Sequence, residues 1–433
     1  MVTRRTTFRL YPSPTQEKIL FECRRLHCYL YNSALADRKD SYKRLKQSVS
    51  YYDQQNRLPE FKEVWTEYKK LGSHALQSTL KRVDLAYGRF FSGKGAYPKF
   101  KSIRHYSGWT YPCIAGWKAL TDGSNGYLSL SNLGKIQMRG EAKVWGDPAT
   151  CTILYRHSKW YASITVNCEV NRTCGNGTIG LDFGLYHAVA TNEGTIIDAP
   201  KFLAKASEQI KLLSKTKRKK RSPNRKKKIK ASRRWIKAQR KVSKIQCKVA
   251  NQRQDWIHKI SNDIVSGNSL IVTEKLNIKG MTAKPKKGSK RKKQKSGLNR
   301  NMLDVGIGML KSAIKYKVTE AGGEYIEIPT QKVKPSQTCP SCGYQRKKEL
   351  NERMHICSDC SYTTDRDVAA AQVMVNWALY NSAVLGTSIV KRGVPISTST
   401  HCGGMKQIGA KKRKKHTLLD EGSETPSSHS RVG

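Results

Sequence analysis

The sequence contains few acidic residues: 32 Asp and Glu stand against 82 Lys and Arg, giving a formal charge of +50. A globule with this charge would repel itself strongly, so a polyanionic partner is expected. An anionic membrane surface is the rival partner. However, the chain has no apolar run of the ~18 residues that a bilayer-spanning helix needs, and residues 1–12 do not form the apolar core of a signal peptide. We therefore expect no membrane association and a cytoplasmic, nucleoid-associated protein.

A dense cysteine framework is also absent. Eight of the 12 cysteines are scattered singly, and only four fall into Cys-x-x-Cys pairs. Small secreted domains held together by disulfides have a denser, even set of cysteines. A reducing compartment and one metal site are therefore expected. Only 37% of the 433 residues are hydrophobic, which predicts modest cores spread over roughly two to four domains.

The spacing of apolar residues changes twice within the first 170 residues. Residues 1–10 alternate as a short strand, and residues 104–170 contain several period-two segments separated by Gly and Asp turns, which is typical of a small β-barrel or sandwich. Apolar residues between them recur at helical spacing, and Thr15 is a plausible N-cap for the first helix. The helical block is therefore predicted to be an insertion after the first strand.

From residue 178 onward, strands and basic helices alternate. The predicted strands are 178–182, 187–191, 195–197, 270–273 and 325–328, and the predicted helices cover 203–265 (two helices), 300–321 and 365–380. The order is therefore β-β-β-α-β-α-β-α, which is the order of the RNase H-like fold. The segment from 381 onward lacks periodicity and is expected to be disordered.

Four cysteines form two knuckles, Cys339 with Cys342 and Cys357 with Cys360. Tetrahedral zinc takes four such thiolates at ~2.3 Å each, which leaves no open position, so one structural Zn²⁺ is predicted. The alternative, a pair of redox dithiols, would need a thioredoxin-like βαβ setting that the sequence lacks. His355, between the knuckles, is expected to be a solvated loop residue and not a fifth ligand.

Acidic residues follow two apolar strands and open the last helix. Asp182 and Glu274 end their strands, and Asp365 and Asp367 begin the helix after the knuckles. An acid at the end of a buried strand is costly unless a cation meets it. Two Mg²⁺ ions about 4 Å apart, held by carboxylates, can cleave a phosphodiester. Because Asp365 and Asp367 are two residues apart, one helix cannot turn both toward the ions.

Several motifs together resemble the TnpB family, which is related to the type V CRISPR effector nucleases. In the C-terminal half they are Gly-Leu-Asp-Phe-Gly at 180–184, Val-Thr-Glu-Lys-Leu-Asn at 272–277, Ser-Gln-Thr-Cys at 336–339 and Asp-Arg-Asp-Val-x-Ala-Ala at 365–371. In the N-terminal half they are Phe-Arg-Leu-Tyr-Pro at 8–12, Tyr-Asn-Ser-Ala-Leu at 31–35 and Tyr-Pro-Lys-Phe-Lys at 97–101. The match runs from residue 5 to about residue 380.

The resemblance implies an Mg²⁺-dependent RuvC-like endodeoxyribonuclease, with Asp182, Glu274 and Asp367 as the catalytic acids and magnesium ligands. One departure is that Ala369 stands where the family often has Asn. That Asn would support the site without ligating metal, so its absence could lower activity while all three acids remain.

The resemblance also implies a multidomain α+β architecture. A β-barrel, wedge-like domain would comprise 1–11 and 104–172, with an inserted helical recognition domain at 12–103. A RuvC-like nuclease domain of the RNase H-like fold would comprise 173–334 and 363–382. The four-cysteine zinc finger would be inserted at 335–362, and 383–433 would form a disordered basic tail.

The implied partners are a guide RNA from the transposon end and double-stranded target DNA, with one protein molecule per guide. Base pairing would carry sequence specificity, while protein holds the backbone and reads a short target-adjacent motif. Lys and Arg along 215–245 would line phosphates, or would form a solvated linker. The candidate nucleic-acid contacts are Gln77, which can pair with adenine, and Tyr51, Tyr52, Arg233, Arg234 and Trp235, of which the aromatic residues could equally be packing residues.

Three other functions are compatible with these features. The protein could be a guide-dependent DNA-binding repressor that does not cut, a transposase that performs strand transfer without RNA, or a compact type V CRISPR effector. Retained binding without cutting under any divalent metal would favour the first, and RNA-free strand transfer would favour the second.

Overall fold

The computed structural model describes residues 2–224, 229–285, 288, 291–349 and 351–384. Residues 385–433, which make up nearly all of the tail predicted to be disordered, lie outside this part of the chain. Within the described residues, no helix is both long and apolar enough to cross a membrane.

Seven antiparallel strands form the N-terminal sheet, in the order β2-β6-β7-β1-β5-β4-β3. They are β1 (Val2–Tyr11), β2 (Gly108–Tyr111), β3 (Trp117–Leu120), β4 (Gly126–Leu130), β5 (Gly134–Arg139), β6 (Asp147–Arg156) and β7 (Lys159–Cys168). Strand β1 is central, since Leu10 pairs with Met138 on one side and with Trp160 on the other. The predicted strands are confirmed, but among the described residues β2 and β3 are the sheet edges and do not pair to close a barrel.

The segment between β1 and β2 is helical, as predicted. It contains α1 (Pro14–Leu45), α2 (Tyr51–Asn56), α3 (Leu58–Val64) and α4 (Ser73–Phe91), with 3₁₀ turns at Thr66–Lys70 and Ile103–His105. The predicted N-cap, Thr15, is wrong. Ser13 caps α1, because its Oγ accepts the Gln16 N–H at 3.2 Å and the Gln16 Oε1 accepts the Ser13 N–H at 3.0 Å. Pro14 then suits the first helical position, where no N–H is needed.

The helical block and the N-terminal sheet share one hydrophobic core. Leu20 of α1 and Leu76 of α4 are buried with Phe8 and Trp160 of the sheet. The insertion therefore packs onto the sheet and is not a separate lobe on a linker.

A second sheet has the order β10-β9-β8-β11-β12, in which β8, β11 and β12 run parallel. Its strands are β8 (Gly177–Asp182), β9 (Val189–Thr191), β10 (Ile196–Ile197), β11 (Asn268–Glu274) and β12 (Glu324–Ile328). The helices between them are α5 (Phe202–Arg218), α6 (Arg233–Gly267), α7 (Ile278–Met281), α8 (Lys292–Val305) and α9 (Ile307–Glu320). The predicted β-β-β-α-β-α-β-α order is present, although the helix predicted at 300–321 is divided at Gly306, whose φ is +77°.

The chain ends its described part with α10 (Thr330–Val333), a 3₁₀ turn at Pro335–Gln337, the hairpin β13 (Met354–Ile356) and β14 (Thr363–Asp365), and α11 (Arg366–Val384). Helices cover both faces of the second sheet. Ile271 of β11 packs in the core formed with α6 and α9, while its neighbours Leu270 and Val272 pack in the core formed with α11. Both faces of β11 are buried, which explains why its sequence is a continuous apolar run.

Candidate metal sites

The four predicted zinc ligands lie together. The Sγ atoms of Cys339, Cys342, Cys357 and Cys360 all lie within 4.8 Å of one another. Sγ of Cys339 is 3.6 Å from that of Cys360, and Sγ of Cys342 is 3.6 Å from that of Cys357. Four sulfurs at ~2.3 Å from one zinc would be ~3.8 Å apart in a tetrahedron. The cluster therefore fits a structural Zn²⁺.

The two knuckles repeat one backbone pattern. In the first, the Gly343 N–H donates to the Cys339 carbonyl at 3.0 Å, and in the second the Ser361 N–H donates to the Cys357 carbonyl at 3.1 Å. Both turning residues have left-handed backbone angles, with φ of +77° at Gly343 and +59° at Ser361. In each knuckle, therefore, a backbone hydrogen bond and a left-handed residue form the turn that brings its two thiols toward one point.

The prediction for His355 is wrong. Its side chain is 2% exposed in β13 and contacts the ammonium of Lys348. Burial, with the positive charge of Lys348, lowers the pKa of His355. The residue is part of the packing beneath the knuckles and not a solvated loop residue.

Asp182 and Glu274 end two neighbouring parallel strands. Leu181 of β8 lies opposite Thr273 of β11, so the two acids follow at the same carboxyl edge of the sheet. Edges of this kind, at the carboxyl ends of parallel strands, are where open α/β sheets bind their ligands.

Helix α11 brings Asp367 to the same edge because it lies against β8 at Gly180. A Cβ on Gly180 would meet the Ala371 carbonyl oxygen at 2.3 Å, so only glycine allows this approach. Asp367 lies one turn before Ala371. Its Oδ2 is 3.9 Å from the position of a Cβ on Gly184, two residues after Asp182.

The two candidate acids at the start of α11 have different roles. The Asp365 Oδ1 accepts the N–H of Asp367 at 2.8 Å and that of Val368 at 3.3 Å. Asp365 is therefore a helix cap. Asp367 is in the first turn and is the acid placed beside Gly184.

Burial raises the pKa values of all three carboxyl groups. Burial and the charges of Glu274 and Asp367 hold the pKa of Asp182 well above its ordinary value. Burial also raises the pKa of Glu274, against the nearby charge of Lys311, and burial and Asp365 raise that of Asp367. Three acids that resist ionisation together form a site that a cation would stabilise.

The carboxylates are spread more widely than the thiolates. Within the described ranges, the four cysteines are the one group of three or more His, Cys, Asp or Glu side chains with ligand atoms within 4.8 Å of one another. A two-metal site distributes its carboxylates over ions about 4 Å apart. The three acids are therefore not gathered around a single point as the four thiols are.

Asp182→Asn should raise the melting temperature of magnesium-free protein near neutral pH. With its folded-state pKa raised, Asp182 contributes stability at low pH that is lost as the pH rises through that pKa. The neutral amide lacks this loss, and each kcal/mol regained should add roughly 2–4 °C.

Thermal scans at about pH 8 and about pH 4 check this prediction, because the gain should appear only at the higher pH. Asp255→Asn is the control, since Asp255 is 66% exposed and pairs with Lys259 on the surface of α6. An unchanged or lower melting temperature for Asp182→Asn near pH 8 would contradict the crowding of the three acids.

No sequence pattern distinguishes Lys311, which the structure places beside Glu274. Its Nζ donates to the Glu274 carbonyl oxygen and lies 3.0 Å from the Glu327 Oε1. The Lys311 side chain is 9% exposed and lies 5.8 Å from the Phe183 ring centroid. Lys311 therefore fixes the end of β11, on which Glu274 stands, from a helix 37 residues away.

The candidate nucleic-acid contacts lie on helices. Gln77 is half-buried on α4, and Tyr51 packs beneath Lys81, whose Nζ is 4.7 Å from the ring centroid. Tyr52 is 69% exposed.

On the basic helices α5 and α6, Arg233 and Arg234 are exposed at the start of α6. Trp235 is half-buried, with the Lys217 Nζ 5.8 Å from its ring centroid. Of these residues, Tyr52, Arg233 and Arg234 have the accessible side chains that direct contact needs.

Family comparisons cover both metal sites. Residues 162–285, which include Asp182 and Glu274, match the OrfB_IS605 family, described as "Probable transposase". Residues 308–374, which include the four cysteines and Asp367, match the Cas12f1-like TNB domain. Residues 1–47 match the helix-turn-helix domain of the OrfB_IS605 family. In this chain, residues 1–47 fold as strand β1 followed by the single helix α1.

Two curated relatives align with most of the length of this chain. "Putative RNA-guided DNA endonuclease InsQ" from Escherichia coli (strain K12) is 28% identical over 379 residues, which are 84% of this chain and 90% of the relative. "Putative RNA-guided DNA endonuclease" from Streptomyces pristinaespiralis is 28% identical over 405 residues, covering 88% and 91%. The resemblance to TnpB-type proteins is thereby confirmed.

Solved structures also align with this chain. A Cas12f1–sgRNA–target DNA complex aligns with a TM-score of 0.30 at 12% identity, covering 87% of this chain and 99% of that one. The mini-RNA-guided endonuclease CRISPR-Cas_phi3 aligns with a TM-score of 0.41 at 10% identity, covering 90% and 93%.

Proposed function

We propose that this chain is an RNA-guided DNA endonuclease of the TnpB type. It would bind a guide RNA derived from the transposon end and cut matching double-stranded DNA next to a short target-adjacent motif. The observation that carries the proposal is the placement of Asp182, Glu274 and Asp367 at one edge of the second sheet, where the pKa of each carboxyl is raised. The names of both curated relatives support it.

In this proposal the three acids hold two Mg²⁺ ions. Bound magnesium would supply activation of the attacking water and stabilisation of the leaving oxygen. Asp182, at the end of the central strand β8, would hold the ions together with Glu274 and Asp367. Lys311 would keep Glu274 in place through its backbone, and the Asp365 cap would set the first turn of α11.

The rest of the chain would hold nucleic acid. We propose the wedge-like domain (1–11 and 104–172), the recognition domain (12–103), the nuclease domain (173–334 and 363–382) and the zinc insert (335–362) as functional divisions. The charge of +50 suits a protein wrapped around an RNA–DNA heteroduplex, in which backbone contacts need no sequence. One protein molecule per guide RNA is part of the proposal.

The test begins with the RNA that co-purifies with the full chain. Sequencing should yield a transposon-end RNA with a constant scaffold and a variable guide segment. The purified complex, given Mg²⁺, should linearise a plasmid that carries the guide's match and leave a mismatched plasmid intact. Target binding without cutting under Mg²⁺ or Mn²⁺ would replace this function with that of a guide-dependent repressor.

Lys311→Met should raise the Mg²⁺ concentration needed for half-maximal cleavage by about 10-fold, as for other groups that position metal ligands. The reason is that Glu274 loses the ammonium that holds its backbone carbonyl. Cleavage rates over a magnesium titration measure the shift, and Lys311→Arg should recover part of it.

Lys315→Met is the matched control for Lys311. Lys315 lies on the same helix and 3.7 Å from Glu327, but its side chain is 59% exposed. A magnesium response that shifts equally in both variants would mean that Lys311 acts only through the Glu327 ion pair.

A further inference from the structure

Five aromatic rings cluster at the end of α4 and in the extended segment that follows it. They are Tyr87, Phe90, Phe91, Tyr97 and Phe100, here called the aromatic patch. Three of them face solvent: Phe91 is 77% exposed, Phe100 56% and Tyr97 46%. Single exposed apolar residues are common, but a contiguous group is typical of a binding surface.

Four rings of the aromatic patch are in contact with one another. Phe90 lies edge-on to Tyr97 with centroids 5.1 Å apart, and Tyr87 stacks with Phe91 at 6.0 Å. Phe90 also touches Phe91, at 5.3 Å. The fifth ring, Phe100, shares the Lys39 ammonium with Tyr97. The patch is therefore a connected group and not a set of isolated side chains.

The extended segment is held firmly against α1. Asn32 accepts the Lys101 N–H at 2.9 Å and donates to the Lys101 carbonyl at 2.8 Å. Pro98 is buried, although its neighbours Tyr97 and Lys99 are exposed. Tyr97 and Phe100 are therefore fixed in place, and ordering them costs little when a ligand arrives.

Cations surround the patch. The Lys39 Nζ lies 4.5 Å from the Phe100 ring centroid and 5.1 Å from that of Tyr97. Residues 89–101 contain four Lys or Arg residues and no acid, while Asp40, next to Lys39 on α1, is exposed. Exposed rings among lysines can stack on bases while the ammonium groups meet phosphates.

We propose that the aromatic patch binds unpaired bases of the guide RNA by stacking. The proposal rests on the proposed function, which supplies a resident RNA. A second copy of this chain is disfavoured, because a two-fold contact would place Lys39 and its neighbours against the same cations. A guide RNA that stays bound would also keep these rings covered, whereas target DNA is present only briefly.

The test compares guide-RNA affinity across a salt series for the full chain and for Phe91→Ala/Phe100→Ala. The double variant should bind the co-purified RNA about 10-fold more weakly, within the range for loss of base stacking. The slope of log affinity against log salt should not change, because no phosphate contact is lost. Lys39→Gln should instead reduce that slope by about one.

Two further variants complete the design. Phe91→Tyr/Phe100→Tyr keeps the rings and should restore affinity. Tyr42→Ala removes a ring that is 61% exposed on α1 and 5.8 Å from the Lys46 Nζ, outside the patch, and should leave affinity unchanged.

Ultraviolet crosslinking of the RNA-loaded protein should attach nucleotides to the peptide containing residues 90–101. If the wild-type and double-variant chains bind RNA equally, the proposed role of the aromatic patch is overturned while the proposed function stands. A double variant that shifts the oligomeric state would assign the patch to a second copy and overturn the proposal. A wild-type chain that holds no RNA would overturn both this proposal and the proposed function.

Discussion

Asp182→Ala should reduce guide-dependent DNA cleavage by at least about 1,000-fold, because the loss of a shared metal ligand removes several kcal/mol of transition-state stabilisation. Asp182 ends the central strand of the second sheet, and its pKa is raised by burial and by the charges of both other acids. RNA content and target binding should be unchanged, since the Asp182 side chain lies at the sheet edge and outside the basic helices α5 and α6.

Plasmid cleavage and a gel-shift of labelled target should be measured on the same preparations. Asp255→Ala, on the surface of α6, should cut at the wild-type rate. Residual cleavage within about 10-fold of wild type, a difference of only ~1.4 kcal/mol, would remove Asp182 from the metal site. Equal loss of binding and cleavage would assign Asp182 a structural role.

Cys342→Ser/Cys357→Ser should remove the zinc and reduce cleavage by roughly 100-fold, since groups that orient metal ligands commonly cost 10–100-fold when lost. The physical route runs through the hairpin β13–β14, whose two strands are connected by the second knuckle and whose second strand ends at Asp365. The Arg366 N–H donates to the Arg353 carbonyl at 2.8 Å, and its Nη1 donates to the Glu349 carbonyl at 2.9 Å. Without zinc, we expect these two hydrogen bonds to break and Asp367 to lose its position at the sheet edge.

Zinc content by mass spectrometry and cleavage rate should fall together in this variant. Cys247→Ser is the control, because Cys247 is a single half-buried cysteine on α6. Full cleavage by protein that contains no zinc would show that the knuckles do not position Asp367.

Much of the two metal sites follows from local sequence. An apolar strand that ends in an acid predicts Asp182 and Glu274, because a parallel strand is buried on both faces and its end meets the sheet edge. Paired knuckles predict the thiolate cluster from spacing alone. Helix geometry alone left Asp365 and Asp367 open, and the family resemblance selected Asp367. In the structure Asp365 is the helix cap, since a cap and a site residue can have the same side chain only two positions apart.

Contacts between distant segments could not be read from the sequence. Lys311 resembles any lysine of a basic helix until the fold places it under Glu274. The fixed position of Tyr97 and Phe100 depends on Asn32, which is 69 residues from its partner Lys101. His355 looked solvated because its neighbours are polar, but the knuckle hairpin buries it. Each of these depends on tertiary packing and not on periodicity.

The most direct measurement is anomalous diffraction from crystals of the RNA-bound protein soaked with Mn²⁺ in place of Mg²⁺. Two manganese peaks about 4 Å apart should appear, bridged by Asp182, with Glu274 and Asp367 completing the carboxylate ligands. Manganese bound elsewhere, or no peak among these three side chains, would contradict the nuclease site.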